Sequence, residues 1–222
     1  MRPAAHSRTS RSKTGAGLLF AVLALASCAG PELKTRSVHY EGDRAAAKRA
    51  LVVYGTRAGS TAEVADFVGK RLSESGWSVD VEAVQAVKSL DRYQAVVIGS
   101  AIRRGSVLPE IRDFVRSRKA ALQGAAVAYF VVCMTMREDT PEHRAKAESY
   151  LDPLRAEVKP IDVGLFAGAV DYAKLEGGSK MMAKMVKLPA GDFRDWTAIG
   201  AWVDGLAAKL QEARSPQGDA GP

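Results

Sequence analysis

Two cysteines in 222 residues, Cys28 and Cys133, are too few to staple this fold. A disulfide framework needs several cysteines at short spacings, and a zinc site needs clustered Cys and His ligands. Neither pattern is present, so no metal site is expected. Aromatic residues make up 7% of the chain and are not interleaved with a basic stripe, which argues against a nucleic-acid partner. The apolar run near the N-terminus, "AGLLFAVLALAS", is shorter than the ~20 residues that span a bilayer. No Gly-Lys-Ser/Thr phosphate loop and no G-x-G-x-x-G fingerprint occurs.

What is there is enough for a core: 47% of residues are apolar, an ordinary globular fraction. The net charge of +7 is unevenly placed. Residues 1–27 hold Arg2, Arg8, Arg11 and Lys13 and no acid, and the +7 less those four leaves +3. A basic start followed by a short apolar core reads as a targeting signal. It ends in "LASC", Leu25 to Cys28, which resembles the bacterial lipobox. That resemblance implies a signal peptide over 1–27, a lipid on Cys28 and an exported protein anchored in a membrane of the cell envelope. A plain secretory signal or an uncleaved anchor is the other reading. With Cys28 lipidated, Cys133 is left alone at the end of an apolar run, where a thiol behaves as a small buried hydrophobe. Residues 28–48 carry charge, Gly and Pro with little periodicity and read as a tether. Residues 213–222 read as a disordered tail.

The pattern changes at Ala50. "ALVVY", "WSVDVEAV", "QAVVIGS", "AAVAYFVVC" and "IDVGLFAGAV" read as five strands. Between and after them, 61–76, 108–122, 140–158 and 192–210 read as helices, the third with Pro153 as a candidate break. Val64, Phe67, Val68 and Leu72 share a face in the first of these, and Ile111, Phe114 and Val115 in the second. Trp196, Ile199, Trp202, Val203 and Leu206 point inward from the last. Strands apolar along their whole length are those covered on both faces. The class is α/β: an open five-stranded parallel sheet with helices on both faces, spanning 49–212.

In such sheets ligands bind beyond the carboxyl ends of the strands, where strand order reverses. The loop after the first strand, "YGTRAGSTAEV", is therefore the first place to look. Ser60 and Glu63 make an S-x-x-E capping box, which needs no ligand. Yet the loop is unusually small and rich in hydroxyls. Gly55 and Gly59 let the backbone turn and approach a ligand, Thr56, Ser60 and Thr61 offer hydroxyls, and the first amides of the helix favour an anion. Both readings stand on these residues alone.

"YGTRAGSTAEVA" resembles the flavodoxin phosphate loop, Thr-x-Thr-Gly-x-Thr. Thr56, Gly59 and Thr61 are kept, and Ala58 replaces a hydroxyl residue. "VVIGSAIRRGSVLPEIRDFV" and "FAGAVDYAKL…MMAKMVKLPAGDFRDW" resemble the menaquinone-dependent protoporphyrinogen dehydrogenase branch of the flavodoxin-like proteins, over about residues 50–210. The resemblance implies FMN as cofactor. Its phosphate would lie in Thr56, Arg57, Ala58, Gly59, Ser60 and Thr61. Its ring would meet the loops Ser100, Ala101, Ile102, Arg103, Arg104, Gly105 and Cys133, Met134, Thr135, ending at Met136. Neither ring loop carries an aromatic to stack on the flavin. The implied function is electron transfer, with a quinone or a redox protein as partner. No catalytic acid, base or nucleophile is assigned, because the cofactor supplies the chemistry.

Protoporphyrinogen oxidation belongs to the cytoplasm, while the lipobox points outward. The sequence thus supports a membrane-tethered FMN electron-transfer protein, or a binding lipoprotein that keeps the fold without flavin. One more segment stands out, "SKMMAKMVKL", residues 179–188. Met181, Met185 and Leu188 share one helical face and Lys180, Lys184 and Lys187 another. It reads as a short helix packing its Met face on the domain, or as a basic helix on an anionic membrane.

Overall fold

A computed structural model describes residues 37–43, 48–175, 180–181, 184–185 and 189–212. The expectations for the signal 1–27, for Cys28, for Lys187 and Leu188, and for the tail 213–222 lie outside the described residues, as does most of the tether.

The apolar runs form the strands, and the structure orders them as β1 (Val38–Tyr40), β2 (Arg49–Gly55), β3 (Ser78–Ala83), β4 (Ala95–Arg103), β5 (Ser106–Val107), β6 (Ala126–Val132) and β7 (Asp162–Phe166). The order across the sheet is β1-β3-β2-β4-β6-β7, with β5 paired to β4. The strands from β3 to β7 in that row are parallel. These are the expected five, and two short antiparallel strands are added. β1 extends the edge, with His39 opposite Asp80 and its Nδ1 2.7 Å from the carboxylate. Residues 38–40 thus belong to the sheet, although they fall in the stretch read as tether. Three residues are too short to show a period.

Helix α1 (Ser60–Glu74) and helix α6 (Trp196–Glu212) cover one face. Val64, Val68 and Leu72 of α1 pack with Ile199, Val203 and Leu206 of α6 over Val52, Val97 and Phe130. Trp196 and Trp202 are only half-buried at the margin. The other face carries α2 (Pro109–Ser117), α3 (Lys119–Gln123), α4 (Pro141–Ser149) and α5 (Asp152–Arg155). Their Ile111, Phe114, Leu122, Ala147 and Leu154 close over Leu51, Ile98 and Tyr129.

The predicted helix 108–122 is two helices, broken at Arg118, whose guanidinium donates to the carbonyls of Val87 and Lys88. The predicted helix 140–158 breaks at Tyr150 and Leu151, ahead of Pro153, whose ring nitrogen has no N–H to donate back to the ladder. The predicted strand 161–170 is also split. β7 ends at Phe166, and β8 (Ala169–Val170) turns away to pair with β9 (Gly191–Asp192). The crossover from β3 to β4, residues 84–94, contains no helix. Beside it lies a cavity of about 840 Å³ lined by Glu82, Lys88, Arg92 and Tyr93 among others. That cavity draws nothing from the loop after β2.

Candidate functional site

Strand order reverses about β2. The chain leaves it for β3 on one side and β4 on the other, so the loops after β2 and β4 flank a crevice at the carboxyl edge. The loop after β2 is short because Gly59 adopts φ +93°, in the left-handed region, and turns the chain into α1 in one step. The Thr56 hydroxyl accepts from the Gly59 N–H at 3.0 Å and holds the turn.

Gly59, not Ser60, is the residue that caps α1, and no side chain bonds the helix amides. The expected capping box does not form. Ser60 already lies inside the first turn, and its Oγ lies beside Gly168, where an added Cβ would stand 3.5 Å from it. Glu63 reaches outward to Arg194 at 2.6 Å and Lys174 at 3.7 Å. The first bond within the helix runs from the Glu63 N–H to the Gly59 carbonyl, 3.1 Å. Helical geometry leaves the amides of Ser60, Thr61 and Ala62 ahead of it without a partner in the helix.

Thr61 is the most telling residue. It is wholly buried, and its Oγ1 has no hydrogen-bond partner. An unsatisfied buried hydroxyl costs about 1–3 kcal/mol. Native folds rarely keep one without a role for it. An acceptor placed at the head of α1 would satisfy the hydroxyl and the amides together, and an anionic oxygen suits the helix dipole. The donors here are amides and hydroxyls. Arg57 is committed elsewhere: both terminal nitrogens of its guanidinium donate to the Glu110 carboxylate of α2, one at 2.9 Å. That pair ties the loop to α2. Arg194 is likewise committed, packed on the Trp196 ring at 4.6 Å and bonded to Asp192 at 2.7 Å. Its guanidinium holds the Asp192 carboxyl below the usual carboxylate range.

The second predicted loop, Ser100 to Gly105, is mostly not a loop. Ser100, Ala101, Ile102 and Arg103 continue β4, and Ile102 and Arg103 pair with Val107 and Ser106 of β5. Ser100 is buried, donates to the Ala101 carbonyl at 2.8 Å and accepts from the Leu108 N–H at 3.0 Å. Its hydroxyl anchors this corner. Only Arg104 and Gly105 form the turn, exposed, with φ +53° and +73°. Two residues at positive φ make the tight hairpin whose twist matches its strands. An unbroken apolar run gave no sign of where β4 should stop.

Beyond β6, Cys133 is buried, and its N–H donates to the Phe166 carbonyl at 2.9 Å. Burial pushes the Cys133 thiol up, which suits a packed residue and not a nucleophile. Met134 and Thr135 open a 3-10 turn, Met134–Arg137, half-buried at its start. Here the structure adds a residue that the sequence reading did not assign to the site. Tyr150, just past α4, places its hydroxyl 3.1 Å from Thr135 Oγ1. Its Cε1 would lie 3.9 Å from a Cβ on Gly105. An aromatic therefore stands beside both turns, although neither turn contains one. Tyr150 is fifteen residues from Thr135 in a helical stretch, so no local motif marks it.

Of the Met face in 179–188, the two described residues do not pack on the domain, the first of the two expectations. Met181 and Met185 are 72% and 70% exposed. No helix among the described residues is long and apolar enough to cross a membrane. Nor do the described residues contain a cluster of His, Cys, Asp and Glu fit for a metal ion.

The family model described as Flavodoxin domain matches residues 51–197. The protoporphyrinogen IX dehydrogenase [quinone] of Escherichia coli K12 is 25% identical over 173 residues, covering 72% of this chain and 94% of its own. The protein of the same name from Leishmania major is 24% identical over 175 residues, covering 72% and 75%. Among solved structures, the apo form of an NADH:FMN oxidoreductase covers 76% of this chain and 92% of its own, at 13% identity and TM-score 0.51. A short-chain flavodoxin associated with a bacterial microcompartment covers 76% and 99%, at 14% identity and TM-score 0.50.

Proposed function

The chain belongs to the flavodoxin domain family, and from that premise we propose that it binds FMN at the carboxyl edge of its sheet and serves in electron transfer. A flavodoxin domain implies a flavin, and the observation that supports FMN here is the buried, unpartnered Thr61 hydroxyl. It stands at the head of α1 with three amides free of the helix ladder, a donor set that fits a phosphate. FMN, when bound, supplies the redox chemistry, taking up and releasing one or two electrons. Gly59 turns the backbone, Thr56 holds the turn, and Thr61, Ser60 and the amides would hold the phosphate. Arg57 keeps the loop on α2 through Glu110. Arg104, Gly105, Met134 and Thr135 stand at the turns that would border the ring.

A quinone is the electron partner we infer, since the relatives from both organisms carry it in their names. We also propose that residues 1–27 are removed and that Cys28 carries the lipid, on the strength of "LASC" alone. Mass spectrometry of protein extracted from the host membrane should show an acylated residue 28 at the mature N-terminus. An intact Met1 with unmodified Cys28 would end that part of the proposal. The flavin is tested by the spectrum of the purified chain after incubation with FMN and gel filtration. Flavin absorbance that co-elutes with the protein is expected. A folded, colourless protein would leave the fold serving a binding role without flavin.

A further inference from the structure

We propose that Tyr150 locks the hairpin turn after β4 and the 3-10 turn after β6 into one wall, and so sets the geometry in which a ring is held between them. The proposal rests on the FMN reading above. Tyr150 is buried, although it follows a helix whose exposed residues are mostly charged. Its hydroxyl meets the hydroxyl of Thr135 at 3.1 Å, which fixes the start of the 3-10 turn. A Cβ built on Gly105, in the hairpin turn whose two residues are both left-handed, would stand 3.9 Å from its ring edge. The Lys146 ammonium sits 5.6 Å from the ring centroid. One side chain thus bonds one turn and stands beside the other, and the two turns end neighbouring parallel strands.

Both turns are short. β5 has two residues, and a 3-10 turn of four residues has poor hydrogen-bond geometry. A tyrosine suits the task because its ring is rigid, covers much apolar surface and ends in a polar atom. Neither ring-side turn contains an aromatic of its own. Tyr150 reaches the same place from the helix behind them. Touching no cofactor on this account, it is a positioning residue.

The test uses the full chain with Tyr150→Phe, Thr135→Val, the double variant and Tyr150→Leu. In flavin-free protein, amide exchange at residues 104–106 and 134–137 should speed up together, about fivefold in Tyr150→Phe, the loss of one ordinary hydrogen bond. Thr135→Val should give the same factor, and the double variant no more, because both remove one shared bond. FMN should bind more weakly by a similar factor in Tyr150→Phe and more weakly still in Tyr150→Leu, while affinity for inorganic phosphate stays that of wild type. A general loss of structure would weaken both ligands, so this split separates positioning from mere stability. Exchange unchanged at residues 104–106 in folded Tyr150→Phe and Tyr150→Leu overturns the proposal, as does equal weakening of FMN and phosphate. Coupled exchange in a wild-type chain that binds no FMN removes the FMN reading and leaves the joined turns standing.

Discussion

The loop after β2 and the turn after β4 end neighbouring parallel strands, with Gly55 and Ser100 side by side in register, yet they solve different problems. The first keeps its hydroxyl Thr61 buried and unpaired, and it commits its only cation, Arg57, to Glu110. The second buries its hydroxyl, Ser100, in two internal hydrogen bonds and leaves Arg104 exposed. One is an open account of donors with no acceptor; the other is closed on itself and charged at its tip. A cofactor with an anionic end and a flat redox end needs that division. The phosphate wants several short donors in a fixed cup. The ring wants a wall whose position, and whose nearby charge, set its potential. Breaking each side separately should therefore give opposite signatures.

The largest effect is expected from Gly59→Val. Its φ of +93° is outside what a β-branched residue adopts. Keeping the turn would cost about 1–3 kcal/mol, and losing it would scatter the three amides. FMN and inorganic phosphate should both cease to bind in isothermal titration while the circular dichroism of the sheet persists. Undiminished FMN affinity in that folded variant would place the ligand elsewhere.

Thr61→Val should split stability from binding. The change is nearly isosteric and removes a buried hydroxyl that has no partner. Without ligand, the variant should be more stable than wild type by about 1 kcal/mol, since an unsatisfied group is gone. FMN affinity should fall about tenfold to a hundredfold, the loss of a hydrogen bond to a charged acceptor. Thermal melts with and without FMN read both signs in one experiment. A variant that is less stable than wild type without FMN would show that the hydroxyl has a use inside the fold.

The two sides also differ in how far the sequence revealed them. The side proposed for the phosphate is one contiguous stretch. Its small residues between an apolar strand and an amphipathic helix announce the turn, and the alternating runs announce the parallel sheet; the strand order that makes it a crevice is seen only in the structure. What the stretch hid was which residue caps. S-x-x-E describes Ser60 and Glu63 equally well as a capping box and as a first turn, and only the backbone at Gly59 decides. The side proposed for the ring is assembled from segments distant in sequence. β4 runs on through Ser100 because its far half finds a partner in β5, and Tyr150 arrives from a helix. Partners so far apart leave no spacing to read. The exposed Met181 and Met185 make the same point in reverse: amphipathic spacing fixes which residues share a face, not what that face meets.

The smallest effect expected, and the one that separates backbone from charge, comes from Arg104→Asn. Arg104 holds φ +53° ahead of Gly105, where Asn-Gly is the favoured pair of a two-residue hairpin. A left-handed arginine gives up about 1 kcal/mol that asparagine partly recovers through its tolerance of this region. The fold should therefore gain a few tenths of a kcal/mol. The guanidinium, meanwhile, is lost. Removing a positive charge near the ring disfavours the anionic reduced flavin, so the two-electron midpoint should fall. Because Arg104 is exposed, the charge acts through solvent. At ~8 Å and a dielectric near that of water the interaction is ~0.5 kcal/mol, or a shift of about 10 mV. Arg104→Lys should keep the potential and the strain together. Potentiometry on the FMN-loaded variants, beside their melting curves, resolves the two terms. A midpoint identical in Arg104→Asn and wild type would place the hairpin tip outside the ring's electrostatic reach, and the turn would then serve the wall by its shape alone.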